Sequence, residues 1–253
     1  MSDQDFLSSI KDFHFTNETD IIEISCSSSD SLCSGSEMHI CSSNCLKVSI
    51  RELLDPSFGM YVWPCAPVLG KYVWFHKERL KNKAVLELGA GTSLASIVAA
   101  KCGSDVVVTD SMKYSSTLQL ARENMLLNKI PDASFKIMPL TWGDFTPYLI
   151  QLKNIDFILG SDVFYDAKDF EDLIVTVSFI LKRNIQAEFW CSYEHRCSDW
   201  NINYLIKKWN LTCEEIPLQS FGADGYNIAG YDLPGLKTIS LFVFRHIDSS
   251  EAV

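Results

Sequence analysis

In ILGSDVFYD, residues 158–166, an apolar run of the kind that makes a buried strand stops at Gly160, and an acid and two rings follow it. Asp162, Phe164 and Tyr165 together suit the task of holding a cationic group, because a carboxylate pairs with a cation and aromatic faces attract it. A second place with chemical potential is VLELGAGTS, residues 85–93. There a strand ends at Leu88, and Gly89 and Gly91 let the backbone turn tightly and approach a ligand before a helix starts near Thr92 or Ser93. Asp110 closes the next strand, DVVVTD, 21 residues after Gly89. A carboxylate there accepts hydrogen bonds from a ribose.

A dinucleotide site would want a third glycine at position 94, so that a helix can close on a pyrophosphate; the residue is Leu94. Glu87, two residues before Gly89, would also sit badly beside phosphates. Both argue against a nicotinamide-dependent oxidoreductase and for a nucleoside-type cofactor without phosphates, of which S-adenosylmethionine is the commonest.

These residues need a scaffold, and the pattern supplies one. AVLEL, DVVVTD, SFKIMPL, IDFILGSD and AEFWCSY read as strands, and SLASIVAAKC, SSTLQLARENMLLNK, DFEDLIVTVSFILKR and DWNINYLIKKW as helices interleaved among them. Strands alternating with helices of this length mean an α/β fold with a parallel sheet covered on both faces. LTCEEIPL and TISLFVFRH are two further strands, separated by a Gly- and Asp-containing stretch without helical period. We expect a hairpin-like insertion there and an antiparallel last strand. Ahead of the run, KVSIREL reads as a lead-in strand, and MYVWPCAPVLGKYVWFHKERL as a helix entered at Pro64.

The chain has 253 residues, 47% of them apolar, enough for a sizeable core. No apolar run approaches the roughly 20 residues that span a bilayer, and the start, MSDQDF, is acidic where a secretory signal would be basic and then apolar. We expect a soluble protein of cytoplasm and nucleus, with no membrane partner. Nine cysteines without a CxxC pair read as free thiols. Cys26, Cys33, Cys41 and Cys45 cluster, but more loosely than zinc ligands, so no metal is expected. Most of the net charge of −10 lies in residues 1–45, where eight acids face only Lys11. Neither part has the basic footprint that phosphate contacts need, so direct nucleic-acid binding is not expected. With the serine-rich run from Ser25 to Ser43, residues 1–45 read as an acidic, mostly disordered tail, in which FHF and IIEIS could form a short strand, and 46–253 as the folded domain.

ELGAGTS, the acid of VVVTD, LTWGD and GSDVFY, in this order, resemble the seven-strand S-adenosylmethionine-dependent methyltransferases. Within these, the chain is similar to the protein methyltransferases that carry an Asp-x-x-aromatic motif after the fourth strand. The resemblance spans residues 58–245. It implies a seven-stranded Rossmann-like sheet, mostly parallel with an antiparallel last strand, and helices on both faces. It also implies that Gly89, Ala90 and Gly91 wrap the methionine part of the cofactor next to Glu87, and that Asp110 holds the ribose hydroxyls. Trp142 would flank the adenine, Ser161 would contact the cofactor from the fourth strand, and Trp63 would close over it. Ser93 stands where many relatives carry a third glycine. Trp63 has a second reading as core, among Tyr61, Val62, Val73 and Trp74. Trp142, just past a strand end, should be exposed unless a ligand covers it.

For the acceptor, Val163 and Phe164 stand where enzymes acting on nucleobases carry two prolines, which favours a protein side chain. Asp162, Tyr165 and Glu171 form the candidate catalytic set. Asp162 and Glu171 are nine residues apart, a spacing similar to that of the two acids with which arginine methyltransferases grip a guanidinium. Glu171 has a second reading as an acid favoured by a helix N-terminus. The resemblance implies arginine in histones as acceptor, with lysine the alternative. His195 and Arg196 would line the acceptor channel or form a solvent-facing loop. A competing class is a non-catalytic cofactor-binding module acting through partners such as chaperones.

Overall fold

The computed structural model describes residues 8–16, 45–53, 59–196, 202–233 and 238–247. In chain order the elements begin with β1 (Ser8–Thr16), β2 (Cys45–Leu53), α1 (Cys65–Phe75), α2 (Lys77–Leu80), β3 (Ala84–Glu87), α3 (Leu94–Lys101) and β4 (Asp105–Asp110). Next come α4 (Ser115–Leu127), β5 (Phe135–Pro139), α5 (Pro147–Gln151), β6 (Phe157–Ser161), α6 (Phe170–Arg183) and β7 (Glu188–Glu194). The last are α7 (Asn203–Lys208), β8 (Leu211–Ile216), β9 (Asn227–Ile228), β10 (Tyr231–Asp232) and β11 (Ile239–His246).

Seven strands form one sheet in the order β5-β4-β3-β6-β7-β11-β8. The five strands from β5 to β7 pair in parallel, and β11 is antiparallel to both β7 and β8. The expected insertion is the two-residue-per-strand hairpin of β9 and β10. The strands are apolar on both sides because both sides are covered. Val85, Phe157, Leu159 and Trp190 face a core completed by α1, α3 and α4; Leu86, Ile158, Phe189 and Cys191 face one completed by α6. Trp190 is fully buried between Phe157 and Tyr72, with ring centroids 4.6 and 4.8 Å away, and its indole N–H donates to Glu188 Oε2 at 2.8 Å.

Chain order reverses between β3 and β6: the chain runs outward from β3 through β4 to β5, then returns to β6 on the other flank. Sheets of this kind bind ligands at the carboxyl ends of the strands at that reversal. The site residues must therefore gather beyond Glu87, Asp110 and Ser161.

The amino-terminal reading needs a correction. Residues 8–16 are not part of a tail; they pair antiparallel with β2 along its whole length, Ser8 opposite Leu53 and Thr16 opposite Cys45. Phe13 and Phe15 provide the driving force, 1% and 0% exposed. The intervening residues 17–44, with Cys26, Cys33 and Cys41, lie outside the described residues. The outer edge of β2 is satisfied by α4, where Asn128 Oδ1 accepts from Ser49 N at 2.9 Å and Asn124 Oδ1 from Arg51 N at 2.8 Å. The short α5, capped by Thr146 Oγ1 on Leu149 N, is an element that the sequence pattern did not suggest.

Candidate active site at the carboxyl ends of β3 and β6

The turn after β3 is built by conformations that ordinary side chains avoid. Gly89 and Gly91 have φ of +61° and +51°, and Ser93 has φ of +67°. Asp110 then pins the turn from β4: Oδ2 accepts from Gly91 N at 2.9 Å and Oδ1 from Ser111 N at 2.7 Å. Burial raises its pKa against these two amides, which hold it down. Thr109 ties the strands together, its hydroxyl donating to the Glu87 carbonyl at 2.6 Å and its own carbonyl accepting from Ala90 N at 2.9 Å. Asn124 reaches in behind the turn and donates to the Thr92 carbonyl at 3.1 Å.

A cavity of about 570 Å³ opens in front of this turn. Trp63, Glu87, Gly89, Ala90, Gly91, Asp110, Trp142 and Ser161, the whole expected cofactor-binding set, line it. Glu87 is 2% exposed, accepts Ser96 N at 3.2 Å, and is pushed up to about 7 by burial. A buried acid of this kind gains most from a cation. Ser161 Oγ and Thr117 Oγ1, both on the cavity wall, are buried without a hydrogen-bond partner in the described structure. Trp142 is half-buried at the rim, with its ring centroid 6.2 Å from that of Tyr165. Room for a nucleoside, an acid for ribose hydroxyls, two unsatisfied hydroxyls, an aromatic wall and a carboxyl awaiting a cation together fit S-adenosylmethionine.

On the far side of the cavity stands Asp162, at the end of β6. Its φ is +57° and its N–H donates to the Ser192 carbonyl at 2.8 Å. Strained backbone of this kind is held where a side chain must be aimed. The carboxylate is 4% exposed and is engaged by the guanidinium of Arg196 through both oxygens, Nη1 donating to Oδ1 at 2.8 Å and Nη2 to Oδ2. The same guanidinium lies 5.9 Å from the ring of Trp63, which itself packs at a tilt against Tyr61, centroids 4.5 Å apart.

Residues 42–207 match the family described as lysine methyltransferase. The chain belongs to that family. It is 46% identical over 198 residues to the histone-arginine methyltransferase METTL23 of Xenopus laevis, covering 78% of this chain and 84% of that protein. With the Homo sapiens protein of the same name it shares 43% over 191 residues, 76% of this chain and 100% of that one. Among solved structures, the SAM-dependent methyltransferase from Agrobacterium tumefaciens aligns with a TM-score of 0.52 at 19% identity, over 79% of this chain and 67% of that one, which shows the fold. The protein is an S-adenosylmethionine-dependent protein methyltransferase, with a protein as its substrate.

Within this methyltransferase two expected acceptor residues are elsewhere. Glu171 does not line the cavity; its carboxylate takes Lys208 Nζ at 2.5 Å and Trp209 Nε1 at 3.3 Å. Lys208 holds its pKa below the ordinary carboxylate value. The turn of α6 is the reason: with Phe170, Leu173 and Ile174 buried, Asp172 faces the cavity and Glu171 faces α7. Phe164 is core, 3% exposed and edge-on to Phe170 at 5.2 Å. Tyr165, 45% exposed, does line the cavity.

Four residues were not anticipated for these roles. The pairing of Arg196 to Asp162 has no signal in the local sequence, since 34 residues separate the partners. Asp169 and Asp172 also line the cavity; the helical period of DFEDLIV, which puts them on one side, was the available sign. Gly143, φ +77°, lets Trp142 sit close to α6, because a Cβ there would stand 2.6 Å from Asp172 Oδ1.

Proposed function

We propose that this methyltransferase modifies arginine side chains of histones, in cytoplasm and nucleus. The observation that carries the reading is the buried carboxylate of Asp162, whose two oxygens at the cavity wall are already engaged by a planar guanidinium. A guanidinium matches a carboxylate by two parallel N–H···O bonds, whereas an ammonium meets it as a point charge. The METTL23 relatives are named for arginine in histones. The family description, lysine methyltransferase, supports the second reading, a lysine acceptor.

Methyl transfer is an in-line displacement, and a protein contributes alignment, exclusion of water and a deprotonated acceptor. Bound S-adenosylmethionine supplies an electrophilic methyl group. Gly89, Ala90, Gly91 and Asp110 would hold its two ends apart in a fixed orientation, with Glu87 toward its cationic part. Asp162 would orient the acceptor guanidinium, and Trp63 and Tyr165 would exclude water around it. In the transfer the S–CH3 bond would break as the N–CH3 bond forms, and one proton would leave the acceptor nitrogen, with the Asp162 carboxylate beside it to take it up.

Incubation with labelled methyl donor and histones, followed by mass spectrometry of the labelled peptides, tests the reading. Methylarginine is expected, abolished by Asp162→Ala with cofactor affinity retained, and kept in Glu171→Ala. Methyllysine alone would establish the second reading. A partner held rather than modified, such as a chaperone, is favoured if cofactor binds and no basic protein is labelled.

A further inference from the structure

Asp162 cannot grip an acceptor while Arg196 occupies it. The carboxylate is 4% exposed, both its oxygens are taken by Arg196, and Arg196 itself, with 26% of its side chain exposed, is part of the cavity lining. The backbone leaves Asp162 little freedom to turn elsewhere, since its N–H is fixed on Ser192 and its φ is +57°.

We propose that Arg196 is an intramolecular competitor of the acceptor: its guanidinium fills the acceptor position on Asp162, and binding of a substrate cation proceeds by exchange with it. The inference rests on the reading of Asp162 as the acceptor's carboxylate.

The arrangement has a physical rationale. A buried carboxylate without a partner is strongly unfavourable, so the resting protein needs a cation there. Arg196 provides one whose bonds are of the same kind as those of an arginine substrate, and the ring of Trp63 beside it would serve either guanidinium. Exchange replaces two charge-assisted bonds by two, and the released Arg196 keeps a second acid within reach, Glu194, whose Oε2 lies 3.6 Å from Nη2. The consequence is quantitative. An internal competitor lowers the apparent affinity of every acceptor by the same factor, the fraction of molecules in which the site is free. It therefore sets a threshold for binding and leaves the preference between acceptors untouched.

Calorimetry on the protein loaded with S-adenosylhomocysteine tests this, using a short arginine peptide and its lysine counterpart. Arg196→Ala is expected to bind both peptides more tightly, by about tenfold each, with their affinity ratio unchanged. Arg196→Lys keeps a cation against Asp162 without the fork and is expected to lie between the two; it also serves where Arg196→Ala does not fold. Loss of affinity in both variants would mean that Arg196 only positions Asp162, and a changed ratio would mean that it touches the acceptor; either overturns the competitor. If Asp162→Asn leaves peptide binding as in the unsubstituted protein, the acceptor assignment itself fails.

Discussion

Gly89 and Trp142 meet so closely that the absence of a side chain on one defines the position of the other: a Cβ on Gly89 would stand 3.0 Å from Cζ2 of the indole and 3.2 Å from Cγ1 of Val163. The turn after β3 and the aromatic wall after β5 are thus one packed unit, and the cofactor cavity is the space they leave. Gly89→Ala adds a methyl group at φ +61°, which costs about 1–2 kcal/mol in the backbone alone, and it moves the indole as well. S-adenosylhomocysteine affinity by calorimetry is expected to fall by about tenfold or more. Retention of full affinity would mean that Trp142 does not border the bound cofactor.

Ser93 has the left-handed conformation that favours glycine, φ +67°, and its fully buried hydroxyl has no partner in the described structure. Both features are unfavourable, one through backbone sterics and the other through lost hydration. Ser93→Gly is therefore expected to stabilise the protein by about 1 kcal/mol, raising Tm by about 2–4 °C. A lower Tm would reveal a bond made by the hydroxyl.

The alternation of strands and helices and the antiparallel last strand were legible because each rests on local pattern, as do GAG at a strand end and the acid closing DVVVTD, whereas Trp142, Ser161 and Trp63 were marked only by the resemblance. What depended on distance in the chain was not. Arg196 reaches Asp162 across 34 residues, and Glu171 is drawn away by Lys208 and Trp209, 37 and 38 residues on. β1 showed only in FHF, a possible short strand, for another reason. Only Phe13 and Phe15 of its nine residues are buried, too few to stand out beside an acidic, serine-rich stretch.

Phe15 shows how much those two residues matter. It is 0% exposed, and its ring fills the space over Gly70 of α1, where a Cβ would stand 2.9 Å from Cζ. Phe15→Ala should cost about 3–5 kcal/mol, the usual price of emptying a phenylalanine site, measured by chemical denaturation. A loss no larger than that of an exposed residue would place β1 outside the cooperative fold.

Glu87 makes stability and cofactor binding pH-dependent in opposite senses. Its pKa in the folded protein is pushed up by burial from 4.5 to about 7. The folded state therefore binds the proton more tightly than the unfolded one, and the contribution is fully present below 4.5 and lost as pH rises through about 7. The total is on the order of 3 kcal/mol. Without cofactor, denaturation at pH 5 and pH 8 should show this fall, and Glu87→Gln, which can still accept from Ser96 N, should flatten it. The cationic end of S-adenosylmethionine should favour the ionised carboxylate. Binding near pH 6 should then release a proton, seen as a heat that differs between buffers of different ionisation enthalpy. Equal heats in the two buffers would separate Glu87 from the cofactor's charge and leave it a structural acid of the β3 turn.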